Sequence, residues 1–345
     1  MSSPSPKVCI ITPTYNHAPY LGECVRSALA QTFEDWEQLI VDDGSTDATP
    51  EIAASFRDPR IRYFRRERVG VYRLAETYNF ALSRSRAPLV AILEGDDAWT
   101  PENLAVQVPR LDDPEVVLAF AEIDVIVDGV ARAHPQLTRA WSEEARKNFP
   151  VGSALAPLLA FEGMADPGTW VVRRRALDAI GGFRQVPGVP TTDYPTLLEL
   201  CLQGRFAYTP RPLTRWRQHA AQATNRHSGD IFIGCADYAR RFYDARIPPE
   251  IKSRLPLTSE RLERGLERQR AFGLIRQGRC DLLDGRWPQA RENFRRAYGR
   301  GSAFLNAASA VGWAAGWLHA DLEACARLLG KPHFRRSSPA PRDEQ

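Results

Sequence analysis

With 345 residues, the chain has room for a catalytic domain of about 200 to 250 residues and something smaller beside it. Shares of 43% hydrophobic and 26% charged residues are those of an ordinary soluble globular protein. The net charge of +4, from 46 basic and 42 acidic residues, is too mild to make nucleic acid the main partner.

In chain order, KVCIIT at 7–12 is a short β-branched run that Pro13 ends. Residues 20–31, YLGECVRSALAQ, set Leu21, Val25, Ala28 and Leu29 on one helical face. QLIV at 38–41 is the next strand, and a helix from Asp47 to Phe56 follows its DGSTD turn. IRYF at 61–64 is a strand, and Tyr72–Ser83 is a helix with Leu74, Tyr78 and Ala81 or Leu82 inward. LVAILEGDD at 89–97 is another apolar strand that stops, like QLIV, at two adjacent aspartates. Strand and helix alternating at this spacing predict a mostly parallel sheet with helices on both faces. In such a sheet both acidic pairs can face one crevice at the carboxyl ends of the strands. A capped strand-to-helix turn is the plainer reading of VDDGSTD taken alone.

Past residue 110 the pattern loosens. VVLAFAEIDVIVDG at 116–129 reads as a strand pair or one long strand around a turn, and 150–165 contains a helical stretch. TWVVRR at 169–174 is a strand leading into a short helix closed by glycines. TTDYPTLLELCLQ at 191–203 is a helix with Asp193 in its first turn, where Pro195 is tolerated. A strand near FAYTP and an exposed segment, LTRWRQHAAQAT, complete this half.

From about residue 228 the text becomes Arg-rich and helical. Gly278, Ala290, Phe294 and Ala297 have the spacing of a tetratricopeptide helix hairpin, or of a generic helical pair. Phe304, Ala308, Val311, Ala315, Leu318, Leu322, Ala326 and Leu329 recur at steps of three and four. That stripe predicts a face packed on the hairpin, with a membrane-surface helix as the alternative because of Trp313, Trp317 and nearby arginines. Residues 331–345 read as a disordered tail. The expected division is therefore 1–227, 228–330 and a tail. Cys9, Cys24, Cys201, Cys235, Cys280 and Cys325 show no zinc-ligand spacing and read as reduced thiols. No signal peptide is read at the start, and no run reaches the roughly 18 to 20 apolar residues of a membrane span. The expectation is a cytoplasmic protein, at most peripheral at the membrane.

The ordered pieces ITPTYNHAPYLGECVRSALAQTFEDWEQLIVDDGSTDAT, GVYRLAETYNFAL and LVAILEGDDAW resemble the inverting glycosyltransferases of family 2. The strong likeness spans residues 8–99, and a weaker one continues through Asp193 and RWRQH at 215–219. It implies the GT-A fold, a Rossmann-like α/β architecture, followed here by an all-α region the likeness does not cover. It also implies a divalent cation, Mn²⁺ or Mg²⁺, held by oxygen ligands, for which Glu94, Asp96 and Asp97 are the candidates. The family usually has aspartate where Glu94 stands, so the first ligand reaches further here.

By the same resemblance, Asp43 accepts a hydrogen bond from the nucleotide base while Asp42 holds the loop. Thr12, Pro13 and Tyr15 form the floor and stacking wall under the base. Arg73 meets the diphosphate, and Asp96 touches the nucleotide as well as the cation. Asp193 is the general base that takes the acceptor hydroxyl's proton, although the family often has Glu-Asp where this chain has Thr192-Asp193. His219 matches a histidine that completes the metal or pyrophosphate site. The implied reaction moves a sugar from a nucleotide-sugar, a UDP-sugar by preference, to a glycan or lipid-linked acceptor in cell-surface polysaccharide synthesis. Two other classes compete. A scaffold that has lost turnover would act through its helical C-terminal part. A nucleotidyltransferase would need a Gly-rich basic loop where this chain has PTYNHAPY.

Overall fold

The computed structural model describes residues 5–127, 129–134, 136–219 and 221–320. They form two compact units that alternate along the chain. One holds the residues up to Arg217 together with Tyr238–Leu262, and the other holds Gln218–Asp237 and the described residues from Glu263 onward. Contacts thus divide the chain at 217, 237 and 262, whereas composition places one break after 227. The proposed tail lies outside the described residues, as do Cys325, Leu322, Ala326 and Leu329. No helix among the described residues is long and apolar enough to cross a membrane.

The first unit is built on a nine-stranded sheet. Its strands are β1 Val8–Thr14, β2 Trp36–Asp42, β3 Ile61–Arg65, β4 Leu89–Ile92, β5 Ala98–Trp99, β6 Val116–Val127, β7 Val130–Ala133, β8 Val171–Arg173 and β9 Arg205–Gln218. The order is β3-β2-β1-β4-β8-β6-β9-β5, with β7 paired to β6. β3, β2, β1 and β4 are parallel; the pairings of β4 with β8, β8 with β6, β6 with β7 and β9 with β5 are antiparallel. The sheet is therefore mixed, its parallel half being the part with regular strand–helix alternation. Within 116–129 the structure has one long strand, β6 Val116–Val127, which pairs with β7 beyond it.

All seven residues of β1 are buried, and full burial of each Val or Ile contributes about 1.5–3 kcal/mol. Helix Ala18–Leu29 buries Leu21, Cys24, Val25 and Ala28, and helix Leu74–Arg84 buries Thr77, Tyr78, Ala81 and Leu82. Leu74, expected inward, is only partly buried. Pro13 does not end β1: the strand runs on to Thr14. The Pro13 carbonyl accepts from Gly95 N at 3.1 Å, beyond the last residue of β4. The position that lacks an N–H therefore faces a point where the ladder has already stopped. β1 and β4 lie side by side while the chain leaves β1 toward β2 on the other side. Their carboxyl ends make the switch point at which open α/β sheets hold ligands. LTRWR, expected as an exposed segment, is the end of β9, with Leu213, Thr214 and Arg217 buried.

In the second unit, helix Trp287–Ala297 buries Ala290, Phe294 and Ala297, matching the tetratricopeptide-like spacing. Helix Ala303–Leu318 corrects the expected stripe. Its buried residues are Leu305, Ser309, Gly312, Ala315 and Gly316, while Phe304 is 79% exposed, Val311 57% and Leu318 78%. A Cβ on Gly312 would lie 2.3 Å from the Phe294 ring. The two helices therefore meet through the smallest residues, and the large apolar side chains turn outward.

Candidate active site

The loops after β1 and β2 are bound to one another by the side chains of Ser45, Asp47, Thr49 and Asn16. Asn16 N donates to Ser45 Oγ at 2.9 Å, His17 N to Thr49 Oγ1 at 2.9 Å and Ala18 N to Asp47 Oδ2 at 3.0 Å. Thr46 N returns a bond to Asn16 Oδ1 at 2.8 Å. Asp42 secures the turn: Oδ1 accepts from Ser45 N and Oγ at 2.8 and 2.6 Å, and Oδ2 accepts from the Tyr63 hydroxyl at 2.5 Å.

Asp43 is the outer acid of the pair. Its two oxygens each accept a backbone N–H, from Val69 and Gly70, both at 2.8 Å. It therefore shapes the 69–70 loop, and a base N–H would have to share those oxygens. Pro13 is buried at the end of β1 and Tyr15 is partly buried just beyond it, with the Arg68 guanidinium 4.2 Å from the Tyr15 ring centroid. Thr12 departs from expectation. It is fully buried and its hydroxyl accepts from Gln38 Nε2 at 2.9 Å, so its side chain belongs to the sheet interior rather than to a floor under the base. Arg73 is exposed and paired with Glu76 at 2.6 Å. It can reach a diphosphate only by leaving that pair.

The turn after β4 brings Glu94, Asp96 and Asp97 together, one ligand oxygen from each lying within 4.8 Å of the others. Gly95 makes this approach possible, because a Cβ there would meet Thr14 Oγ1 at 2.7 Å and His17 Nδ1 at 2.8 Å. Asp97 Oδ1 accepts from Arg217 N at 2.8 Å, and the Asp96 carbonyl accepts from Arg217 Nε at 2.7 Å. Glu94 Oε1 accepts from the Tyr78 hydroxyl at 2.7 Å. Burial and then the neighbouring Asp96 carboxylate push Glu94 up to about 8. The same two causes, with Glu94 third, hold Asp97 well above the usual carboxylate range. Three carboxylates that burden one another in this way fit a hard divalent cation, which supplies the missing positive charge.

Asp193 opens helix Asp193–Leu200. Its Oδ1 accepts from the Thr191 hydroxyl and, at 2.6 Å, from Tyr194 N, which leaves Oδ2 to take up a proton. Burial raises its pKa against the lowering effect of those bonds. Its charge in turn raises Glu94 and Asp166, so the expected base and the expected cation ligands share one electrostatic site. His219 belongs to the second unit, where its N–H donates to Gln222 Oε1 at 3.2 Å and its carbonyl accepts from Asn225 Nδ2 at 3.0 Å.

The sequence model of glycosyl transferase family 2 matches residues 9–181, half of the chain. The chain belongs to that family. It is 31% identical over 234 residues to protein MT1568 of Mycobacterium tuberculosis, covering 64% of this chain and 70% of that one. It is 35% identical over 226 residues to the glycosyltransferase RP339 of Rickettsia prowazekii, covering 64% and 67%. A Bacillus subtilis protein named as a candidate teichuronic acid biosynthesis glycosyltransferase, TuaG, is 35% identical over 123 residues, 35% of this chain and 48% of that one. Two solved structures share the fold. The TarS 1–349 complex with UDP-GlcNAc, from S. aureus, has a TM-score of 0.56 at 16% identity, covering 94% and 92% of the two chains. The Pyrobaculum calidifontis mannosyltransferase PcManGT, with GDP-Man and Mn²⁺, has 0.54 at 22%, covering 96% and 89%.

Three groups in the site of this family 2 glycosyltransferase carry no role that the sequence alone reveals. Periodicity turns Tyr78 inward without placing it on Glu94. RWRQH sets Arg217 beside His219 rather than on the two aspartates. Asp166, raised to about 7 first by burial and further by Asp193, gave no signal beyond a turn-forming ADPGT stretch. Its partner is the turn itself, since Oδ1 accepts from Gly168 N at 2.9 Å.

Proposed function

We propose that this family 2 glycosyltransferase is a metal-dependent, inverting enzyme that moves a sugar from a nucleotide-sugar to a hydroxyl of a glycan or lipid-linked acceptor. The observation that carries the reading is the cluster of Glu94, Asp96 and Asp97 after β4, one ligand oxygen from each within 4.8 Å of the others. Glu94, Asp96 and Asp97 would hold the divalent cation, which when bound neutralises the donor's diphosphate. Asp43, Pro13 and Tyr15 border the nucleotide at the ends of β1 and β2, and Arg73 would meet the phosphates by exchanging its pair with Glu76 for them. Asp193 Oδ2 takes the acceptor hydroxyl's proton as that oxygen attacks the anomeric carbon, opposite the departing diphosphate. Its raised pKa makes it a stronger base near neutral pH.

A UDP-sugar is the preferred donor, in keeping with the UDP-GlcNAc bound by TarS, and GDP-mannose is the competitor suggested by PcManGT. The TuaG likeness supports a place in cell-surface polysaccharide synthesis. The enzyme would work in the cytoplasm. Exposed Phe304, Val311, Trp313, Trp317 and Leu318, with the Arg291 guanidinium 4.2 Å from the Trp317 ring centroid, support peripheral contact with an anionic membrane. Slow donor hydrolysis across a panel of UDP- and GDP-sugars with Mn²⁺ tests the core of the proposal. Hydrolysis that persists in excess EDTA removes the metal from it, and a panel without any turnover or binding removes the donor class.

A further inference from the structure

The ADPGTW loop leads into β8 and is fastened at several points. The Asp166 carbonyl accepts from Thr169 N at 3.0 Å and Thr169 Oγ1 at 2.7 Å. The Gly168 carbonyl accepts from Trp99 Nε1 in β5 and Thr214 Oγ1 in β9, each at 2.8 Å. Gly168 also touches the cation side of the site: a Cβ there would lie 3.1 Å from Asp166 Oδ1 and 3.6 Å from Asp97 Oδ2. Asp166 is therefore a fixed carboxylate next to Asp97, and Asp193 is close enough to act on its charge.

For the turn alone a carboxylate is the wrong choice. Asparagine makes the same side-chain bond to the i+2 amide without adding a negative charge among four others. One oxygen, Oδ1, serves the turn, and among the described residues Oδ2 accepts no hydrogen bond. In an inverting transfer the attacking hydroxyl and the leaving diphosphate lie on opposite faces of the sugar. The ring being transferred must then occupy the space between Asp193 and the cation ligands, and Asp166 borders that space, near Asp97 across Gly168 and within electrostatic reach of Asp193. A carboxylate oxygen there is matched by a sugar hydroxyl, which donates the hydrogen bond Oδ2 requires.

We propose that Asp166 is a specificity-determining residue whose free oxygen accepts a hydrogen bond from a hydroxyl of the transferred sugar, so that donors lacking that hydroxyl are rejected. The inference rests on the donor reading given above. A donor without the hydroxyl leaves the acceptor that its own sugar ring covers unpaired, the kind of penalty by which enzymes discriminate most strongly.

The test compares wild type with Asp166→Asn, which keeps the bond to Gly168 N but offers an NH₂ where Oδ2 stood. Isothermal titration in Mn²⁺ is run with UDP, with whichever of UDP-glucose, UDP-galactose and UDP-GlcNAc binds wild type best, and with that donor's monodeoxy analogues. A thermal melt confirms folding. Wild type should disfavour one deoxy analogue by roughly tenfold or more. Asp166→Asn should bind UDP as wild type does, bind the parent donor about tenfold more weakly, and lose the preference against that analogue. An unchanged preference assigns Asp166 to the turn and overturns the proposal. An equal loss of UDP and UDP-sugar affinity moves Asp166 to the cation site and also overturns it. So does a turnover defect with donor affinity and selectivity intact, since Asp166 would then act on the acceptor. Wild type that binds no nucleotide-sugar in Mn²⁺ refutes the donor reading itself, an outcome distinct from all of these.

Discussion

Loading the cation should expel protons, and Glu94 sets the scale. A carboxyl with a pKa of about 8 is about 90% protonated at pH 7, and a cation ligand must be ionised. Binding at pH 7 should thus release close to one proton from Glu94, and more once Asp97 is included. The ionised fraction of Glu94 rises about fivefold from pH 7 to 8, so Mn²⁺ affinity should climb at least that much and level off above pH 9. The sign for folding runs the other way in the metal-free protein. Raised carboxyl groups favour the folded state below their unfolded value of 4.5 and lose that advantage as pH rises to about 8. Metal-free protein should therefore melt lower as pH rises through that window, and Mn²⁺ should restore it. Titration calorimetry in two buffers of different ionisation enthalpy counts the protons directly, and Glu94→Gln should lower the count by about one. Proton-neutral binding at pH 7, with affinity flat from pH 6 to 9, would refute the electrostatic account of the triad.

Asp193→Asn should cut turnover by about 10²- to 10⁴-fold while UDP affinity, read by calorimetry, stays put; joint loss would move Asp193 to the donor side. Asp43→Ala removes both acceptors of the 69–70 amides, so UDP binding should weaken by about 1.5–3 kcal/mol and the melting temperature should fall with it. Glu94→Asp restores the family's usual ligand but withdraws from the Tyr78 hydroxyl; its modest cost should vanish in a Tyr78→Phe background, as a double-mutant cycle on the melting temperature would reveal. Replacing Trp313 and Trp317 by Ala should leave the fold intact, because both are exposed, and should reduce co-sedimentation with anionic vesicles. Undiminished sedimentation would exclude that face as the membrane contact.

Local patterns carried most of the first unit. Short apolar runs ending in Asp-Asp located β2 and β4, and the Thr-Thr-Asp step before an apolar run located the helix that Asp193 opens. The misreadings arose where periodicity carries no information. β1 is buried on both faces, so its alternation could not tell that Thr12 turns into the sheet. In the outer helix the largest apolar residues mark the wrong face, because close approach to Phe294 selects Gly312 and close approach to Arg291 selects Gly316. Arg217 and Asp166 become meaningful only through long-range pairing: β9 returns about 120 residues later to donate to Asp97, and the 166–169 turn hangs on Trp99 and Thr214.

The mutual bonding of the two loops after β1 and β2 bears on how cheaply a ligand could be received there. Five hydrogen bonds join residues 16–18 to residues 45–49, so this side of the crevice is shaped before anything enters it. Ordering a loop on binding costs about 1–2 kcal/mol per residue fixed, and this pair has already met that cost during folding. Association there should carry a small unfavourable entropy and a fast on-rate. Severing the seam, for instance with Asp47→Ala, should appear as a slower and entropically poorer association with no contact to the ligand removed.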